Sequence, residues 1–202
     1  MKPTLIVMAK VPRPGRVKTR LARDIGSVAA AWWFRQQLRT LMRKIDDPRW
    51  RLVLAVSPDI EGLQSRVWPG HLERWPQGRG TLGDRMARML RRAAPGPACV
   101  IGADIPEVGR PQVAAAFAAL GDHDAVFGPA PDGGYWLVGL KHPRRQPPTF
   151  FRNVRWSTPH ALADSAASLP DHRIAHVQTL RDVDTVDDLP MTRRGARATS
   201  KA

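Results

Sequence analysis

TLIVMAKVPRPGRVKTRL, residues 4–21, joins two stretches with opposite physical demands. Thr4 to Ala9 is a short, almost unbroken apolar run, the pattern of a buried strand. Lys10 to Arg20 is interrupted by Pro12, Pro14 and Gly15, so it reads as a loop that starts where the strand stops. That loop carries Lys10, Arg13, Arg16, Lys18 and Arg20. Such a segment suits a polyphosphate, because glycine lets backbone N–H groups approach oxygens while the cations offset their charge. It is not a P-loop: Val17 stands where the second glycine is required, and Pro12 where the first would be. An isolated basic loop is usually a solvated turn, but its place directly after a buried strand favours a ligand.

Working outward, the same alternation of strand and helix continues. From Ser27, apolar residues fall at Ala31, Phe34, Leu38, Leu41, Met42 and Ile45, the spacing of an amphipathic helix ending near Asp47-Pro48. Arg51 to Val56 predicts a second strand. Thr81 with Asp84 three residues later predicts a capped helix reaching about Ala94. Ala98 to Gly102 and Ala125 to Phe127 predict further strands around a helix at Pro111 to Leu120. Tyr135 to Leu140 is another apolar run, Pro159 to Ser168 a helix, Arg173 to Val177 a strand and Val186 to Leu189 a helical turn. The expected fold class is α/β, a three-layer α/β/α sandwich around a mostly parallel, mixed sheet. Ligands of such sheets bind beyond the carboxyl ends of the strands, so chemistry is to be sought just after each one.

With 202 residues the chain is long enough to bury a proper core, and 43% apolar against 25% charged residues excludes a disordered chain. Residues 1–189 are expected to form one domain and 190–202 a basic, mobile tail. No apolar run reaches the roughly 18 residues of a membrane span, and Leu5 to Ala9 is too short for a secretory signal, so the expected location is cytoplasmic. Cys99, the single cysteine, excludes an intrachain disulfide and reads as core packing. The formal net charge of +14 favours anionic partners. An excess of arginine alongside abundant Ala and Pro is also what GC-rich coding would produce. The cations after Asp188 do not account for the charge, since the body remains strongly basic without them.

Three post-strand segments carry acids or glycines. Asp104, in Ile101-Gly102-Ala103-Asp104-Ile105-Pro106, is placed to bind Mg2+ or Mn2+ together with phosphate oxygens, or simply to form a turn. Arg181 to Leu189 crowds Asp182, Asp184, Asp187 and Asp188 into one segment of a basic chain, which points either to a cation or to helix capping by Asp184 or Thr185. Gly128 to Trp136 contains Asp132, Gly133, Gly134 and Tyr135. It is either the rim of a ligand pocket with ring faces for a sugar or base, or an Asp-Gly turn between strands. His172 and His176 lie in strand-like sequence and do not form a helical metal pair. The Trp residues with adjacent arginines, at Arg49-Trp50-Arg51, Arg74-Trp75 and Arg155-Trp156, are either stacking platforms for single strands or core anchors.

Six motifs then occur in a meaningful order: MAKVPRPGRVKTRL, TLGDRM, IGADIPEV, GPAPDGGYWLVGL, the stretch ending Trp156-Ser157-Thr158, and DVDTVDDL. Their sequence resembles a bacterial GT-A-like nucleotide-diphospho-sugar transferase family, also labelled arsenosugar-biosynthesis glycosyltransferase. More distantly it is similar to the phospholactate and molybdenum-cofactor guanylyltransferases. The resemblance spans about residues 4 to 189 and implies a GT-A fold and a Mg2+- or Mn2+-dependent transferase. It implies nucleotide binding by Ala9, Lys10, Gly15, Lys18, Arg20 and Arg85, and a metal site at Asp104 with Asp184 or Asp188. It also implies an acceptor pocket at Asp132, Gly133, Gly134, Tyr135 and Trp156, with Lys18, Arg20 and Asp132 as the catalytic candidates. The metal motif Ala103-Asp104-Ile105 holds one aspartate where many sugar transferases have an Asp-x-Asp pair.

The expected activity is therefore glycosyl transfer from a nucleotide-diphospho-sugar to a small, anionic acceptor. The alternative is nucleotidyl transfer from a nucleoside triphosphate. A reading from another class, a basic nucleic-acid-binding protein without turnover, is disfavoured by the acids at Asp182 to Asp188.

Overall fold

The computed structural model describes residues 1–189, and the expected tail at 190–202 lies outside the described residues. Among the described residues seven strands form one sheet: β1 (Thr4–Lys10), β2 (Arg51–Ser57), β3 (Glu73–Pro76), β4 (Ala98–Ile101), β5 (Ala125–Pro129), β6 (Tyr135–Leu140) and β7 (Ile174–His176). Six α-helices accompany them: α1 (Leu21–Ile25), α2 (Ser27–Ile45), α3 (Asp59–Gln64), α4 (Leu82–Arg92), α5 (Arg110–Asp122) and α6 (Ala161–Ala167). The strand order is β3-β2-β1-β4-β6-β5-β7. All neighbours pair in parallel except β6, which runs against both β4 and β5.

The alternation of β1 shows why the sandwich has three layers. Leu5, Val7 and Ala9 pack with Phe34, Leu38 and Leu41 of α2 and with Val113, Ala116 and Leu120 of α5. Ile6 faces the other way, into a cluster with Met86, Met89 and Leu90 of α4 and Ala161 of α6. Successive side chains of a strand leave opposite faces, so a strand apolar throughout needs helices on both sides. The resulting α/β/α sandwich with a mostly parallel sheet is the one expected from the sequence.

Several local signals act as read. Thr81 and Asp84 form a reciprocal capping box, with Thr81 Oγ1 accepting from the Asp84 N–H at 3.2 Å and Asp84 Oδ2 from the Thr81 N–H at 2.8 Å. Helix α2 begins at Ser27 itself, with Gly26 as its cap residue. The helix after Thr158 starts two residues later than its first expected position, at Ala161. Edge strand β3 and short helices α1 and α3 were not expected. Glu-Arg-Trp-Pro has one buried side chain, Trp75, and so no run long enough to announce a strand.

Candidate active site

Two features of the sheet bring the chemistry to one edge. The chain leaves β1 toward β2 on one side while β4 lies on the other, which opens a crevice beyond the carboxyl ends of β1 and β4. Because β6 is antiparallel, its first residues Tyr135 and Trp136 stand at that same edge, with Leu137 opposite Ile101. A cleft of about 1030 Å³ occupies this position. The motifs it draws on are far apart in the chain, and the sheet alone makes them neighbours.

The basic loop is held against the core. Val11 donates its N–H to the Ser57 carbonyl at 2.8 Å, and Arg13 pairs with Glu61 of α3. Gly15 turns the loop at φ +74° and does not reach the cleft lining, whereas Ala9, Lys10, Arg16, Lys18 and Arg20 do. Lys18 takes a left-handed backbone conformation, φ +48°, uncommon for a residue with a side chain. Its side chain is only 6% exposed, and Nζ lies 2.5 Å from Asp104 Oδ2 and 3.0 Å from Asp184 Oδ1. Burial favours a neutral amine, but the two carboxylates outweigh it and hold the Lys18 pKa above its ordinary value. Arg20 Nη1 approaches Asp184 Oδ2 at 2.8 Å.

Asp104 follows β4, and its carbonyl accepts the Val183 N–H at 3.2 Å, which sews the late acidic segment to the strand end. Val183 is 2% exposed, so the residues on either side of it, Asp182 and Asp184, are turned outward together. One carboxylate oxygen from each of Asp104, Asp182 and Asp184 lies within 4.8 Å of the others. Burial first, and then the charges of Asp104 and Asp184, push the Asp182 pKa up to about 6. Three hard oxygen donors converging in the cleft fit Mg2+ or Mn2+, which prefer carboxylates and phosphate oxygens.

The structure thus brings Asp104 and Asp184 together with Asp182, which the sequence reading had not singled out as a ligand. Asp188 is placed elsewhere. Its Oδ2 accepts the N–H groups of Asp184 and Thr185 at 3.1 and 2.9 Å and the Thr185 hydroxyl at 2.8 Å, while Oδ1 meets Arg181 at 3.3 Å. It is the reciprocal half of a capping box, not a member of the carboxylate cluster. The helical turn at Val186–Asp188, capped by Thr185, is what draws Asp188 away from the side on which Asp182 and Asp184 emerge.

Asp132 and Gly134 also line the cleft, and Asp132 Oδ1 accepts the Gly134 N–H at 2.9 Å. Gly133, between them, is not part of the lining. At φ +82° its missing Cβ would lie 2.2 Å from the Pro159 carbonyl oxygen, so glycine alone lets this turn rest on the approach to α6. Tyr135 lines the cleft, yet its hydroxyl shares a hydrogen bond with Ser165 Oγ at 3.2 Å and its ring meets Phe127 edge-on. Burial pushes the phenol pKa up. Trp156 lines the cleft half-buried, with its ring against Tyr135 and Phe151. Arg85, at the start of α4, lines the cleft and donates Nε–H to the Gly80 carbonyl. Gln77 is a further lining residue absent from the sequence reading. It is buried, and its Nε2 donates to the Ala9 and Ala55 carbonyls at 3.4 and 2.8 Å. It sits at the end of the unannounced β3.

The other candidate features are structural. Trp50 and Trp75 are 2% and 3% exposed, with Arg49 over the first and Arg51 and Arg92 over the second, so these pairs are covered core anchors. Cys99 is fully buried and its thiol pKa is driven up by burial. No helix among the described residues is long and apolar enough to cross a membrane.

Comparison with solved structures finds the same fold in other proteins. The chain is similar to a protein from Desulfovibrio desulfuricans described as a nucleotide-diphospho-sugar transferase, with 26% identity and a TM-score of 0.82 over 92% of this chain and 83% of that one. It shares its fold with 4-diphosphocytidyl-2C-methyl-D-erythritol synthase from Anaerococcus prevotii, at 11% identity and a TM-score of 0.57 over 92% and 94% of the chains. It shares it also with Rv0371c from Mycobacterium tuberculosis, solved in complex with manganese, at 16% identity and a TM-score of 0.54 over 93% and 95%. No curated protein sequence matches the chain. Residues 40–158, which include β4 and its Asp104 as well as the Asp132 turn, match the family described as "Uncharacterized protein conserved in bacteria (DUF2064)", and the chain belongs to that family.

Proposed function

We propose that this protein is a divalent-metal-dependent transferase that uses a nucleotide-activated donor, with a nucleotide-diphospho-sugar as the donor. The observation that carries the reading is the meeting of Asp104, Asp182 and Asp184 with Lys18 and Arg20 at the β1/β4 crevice. Similarity to the Desulfovibrio transferase over nearly the whole chain supports it. Asp104, Asp182 and Asp184 would hold Mg2+ or Mn2+, and a cation bound there neutralises phosphate charge as the leaving group departs. Lys10, Arg16, Lys18 and Arg20 line the same cleft and offset the remaining charge on the nucleoside diphosphate. Trp156 would offer a ring face to the sugar or acceptor, and Asp132, in the same cleft lining, would accept a hydroxyl proton from the acceptor. Chemistry of this kind asks the protein for position and electrostatics, with no covalent intermediate.

Nucleotidyl transfer from a nucleoside triphosphate is the second reading. It is favoured by one observation: the Asp-x-Asp pair, Asp182-Val183-Asp184, lies in the distal segment rather than after β4, where Asp104 stands alone. Thermal stabilisation by nucleoside diphosphates, nucleoside triphosphates and nucleotide sugars, each with and without Mn2+, tests both. A Mn2+-dependent rise with a nucleotide sugar, and release of nucleoside diphosphate from it, supports glycosyl transfer. A rise with a triphosphate alone, and release of pyrophosphate, supports nucleotidyl transfer. No shift with any ligand rejects both.

A further inference from the structure

The carboxylates assigned to the cation are already engaged by protein cations. Lys18 Nζ takes one oxygen of Asp104 and one of Asp184, at 2.5 and 3.0 Å, and Arg20 Nη1 takes the other oxygen of Asp184 at 2.8 Å. Both oxygens of Asp184 are therefore in use. Lys18 is committed to this arrangement: its side chain is 6% exposed, its backbone is held at φ +48°, and its carbonyl accepts the Ala22 N–H at 2.9 Å as α1 begins. Arg20 contributes from the surface, with 64% of its side chain exposed. A divalent cation approaching Asp104 and Asp184 meets an ammonium group among the same oxygens, and like charges at that spacing repel. The same two side chains belong to the loop that faces the cleft where the phosphates of a donor would lie.

We propose that Lys18 and Arg20 form a latch that makes cation and nucleotide binding depend on each other. This deepens the nucleotide and metal reading above and rests on it. Without ligand, the two cations neutralise the aspartates and keep a free divalent ion out. When a polyphosphate enters, it replaces the carboxylates as counter-anion to Lys18 and Arg20, and Asp104 and Asp184 are released to the ion. Each ligand then raises the affinity for the other, as linkage requires. The acids and the basic loop thus form one unit with two sets of partners, protein to protein in one state and protein to ligand in the other.

The test uses Mn2+ alone, with binding followed by electron paramagnetic resonance of the free ion and by the melting temperature, so that no turnover is involved. The wild-type chain is expected to bind Mn2+ weakly. Lys18→Met is expected to bind it on the order of tenfold more tightly, and to gain a Mn2+-dependent rise in melting temperature that the wild type lacks. Arg20→Met, a change at a side chain 64% exposed, is expected to move the same way by less. Adding Asp104→Asn to Lys18→Met should remove the gain. Equal Mn2+ affinity in the wild type, Lys18→Met and Arg20→Met, with that affinity lost in Asp104→Asn, overturns the latch while the metal site stands. No Mn2+ binding by any of the variants overturns the metal site and the latch with it.

Discussion

The backbone N–H of Val183 donates to the carbonyl of Asp104 at 3.2 Å, and this bond joins the end of β4 to a segment from the far end of the described chain. Val183 is buried beneath it, so the flanking Asp182 and Asp184 turn toward Asp104. The carboxylate cluster is thus a property of one cross-chain contact, and the outcomes expected of its members differ accordingly.

Asp104→Asn keeps the shape of the side chain and removes its charge. Loss of one charge-assisted contact, about 1.5–3 kcal/mol, corresponds to roughly 10- to 100-fold weaker Mn2+-dependent nucleotide binding. Titration calorimetry with and without Mn2+ measures this, and an unchanged affinity would remove Asp104 from the site.

Asp188 acts through Asp184 and Thr185, whose N–H groups it accepts. Asp188→Ala should cost the stability of a lost cap, about 0.5–2 kcal/mol in a urea titration. Nucleotide affinity should fall less than in Asp184→Asn, and Asp188→Asn, which keeps an acceptor oxygen, should recover part of both. A loss of affinity as large as that of Asp184→Asn would make Asp188 a direct contact.

Gly133→Ala places a methyl group against the Pro159 carbonyl at a backbone conformation suited to glycine, φ +82°. Strain of this kind costs on the order of 1–3 kcal/mol. The denaturation midpoint should fall accordingly. A midpoint equal to the wild type would show that the Asp132 turn does not rest on α6 in solution.

Asp164 receives the Arg155 side chain at 2.9 Å through both Nε and Nη2, and the Arg155 backbone N–H at 3.0 Å. The guanidinium, and then the backbone donor, hold its carboxyl well below the usual carboxylate range. A depressed native pKa means that the unfolded chain binds more protons in acid, so this stabilisation is present above the unfolded pKa of about 4 and is lost as the pH falls below it. Asp164→Asn should be less stable than wild type at about pH 7, and the gap should narrow steadily below about pH 4. A gap independent of pH would show that the carboxylate charge is not what the pair contributes.

Cys99 lies at the middle of the sheet, fully buried, and burial pushes its thiol pKa up and disfavours the reactive thiolate. A thiol reagent should label it only at the rate of opening of the fold. Rapid stoichiometric labelling under native conditions would show that β4 is exposed to solvent.

The amino-acid sequence alone determined the order of elements wherever apolar residues form a strong local pattern. Leu5 to Ala9 and Ala98 to Ile101 could only be buried strands, the Ala31, Phe34, Leu38, Leu41 series an amphipathic helix, and Thr81 with Asp84 a helix start, because each signal is contained within a few neighbouring residues. It also singled out Lys18, Arg20, Asp104 and Asp184 as candidates, through their place after buried strands or in an acidic cluster, and the structure brings these four together. Tertiary structure decided what local pattern cannot carry. It set β6 against its neighbours so that Tyr135 and Trp136 face the cleft, and it formed β3 from four residues that only a pairing with β2 holds extended. It chose Asp182 over Asp188, since the capped turn at Val186–Asp188 ties the Asp188 carboxylate to Asp184 and Thr185 and leaves Asp182 to meet Asp104. It also lodged Lys18 between two aspartates from distant segments. The physical reason is one of range: periodicity and capping act over a few residues, whereas the charges at this site meet only after the sheet has folded.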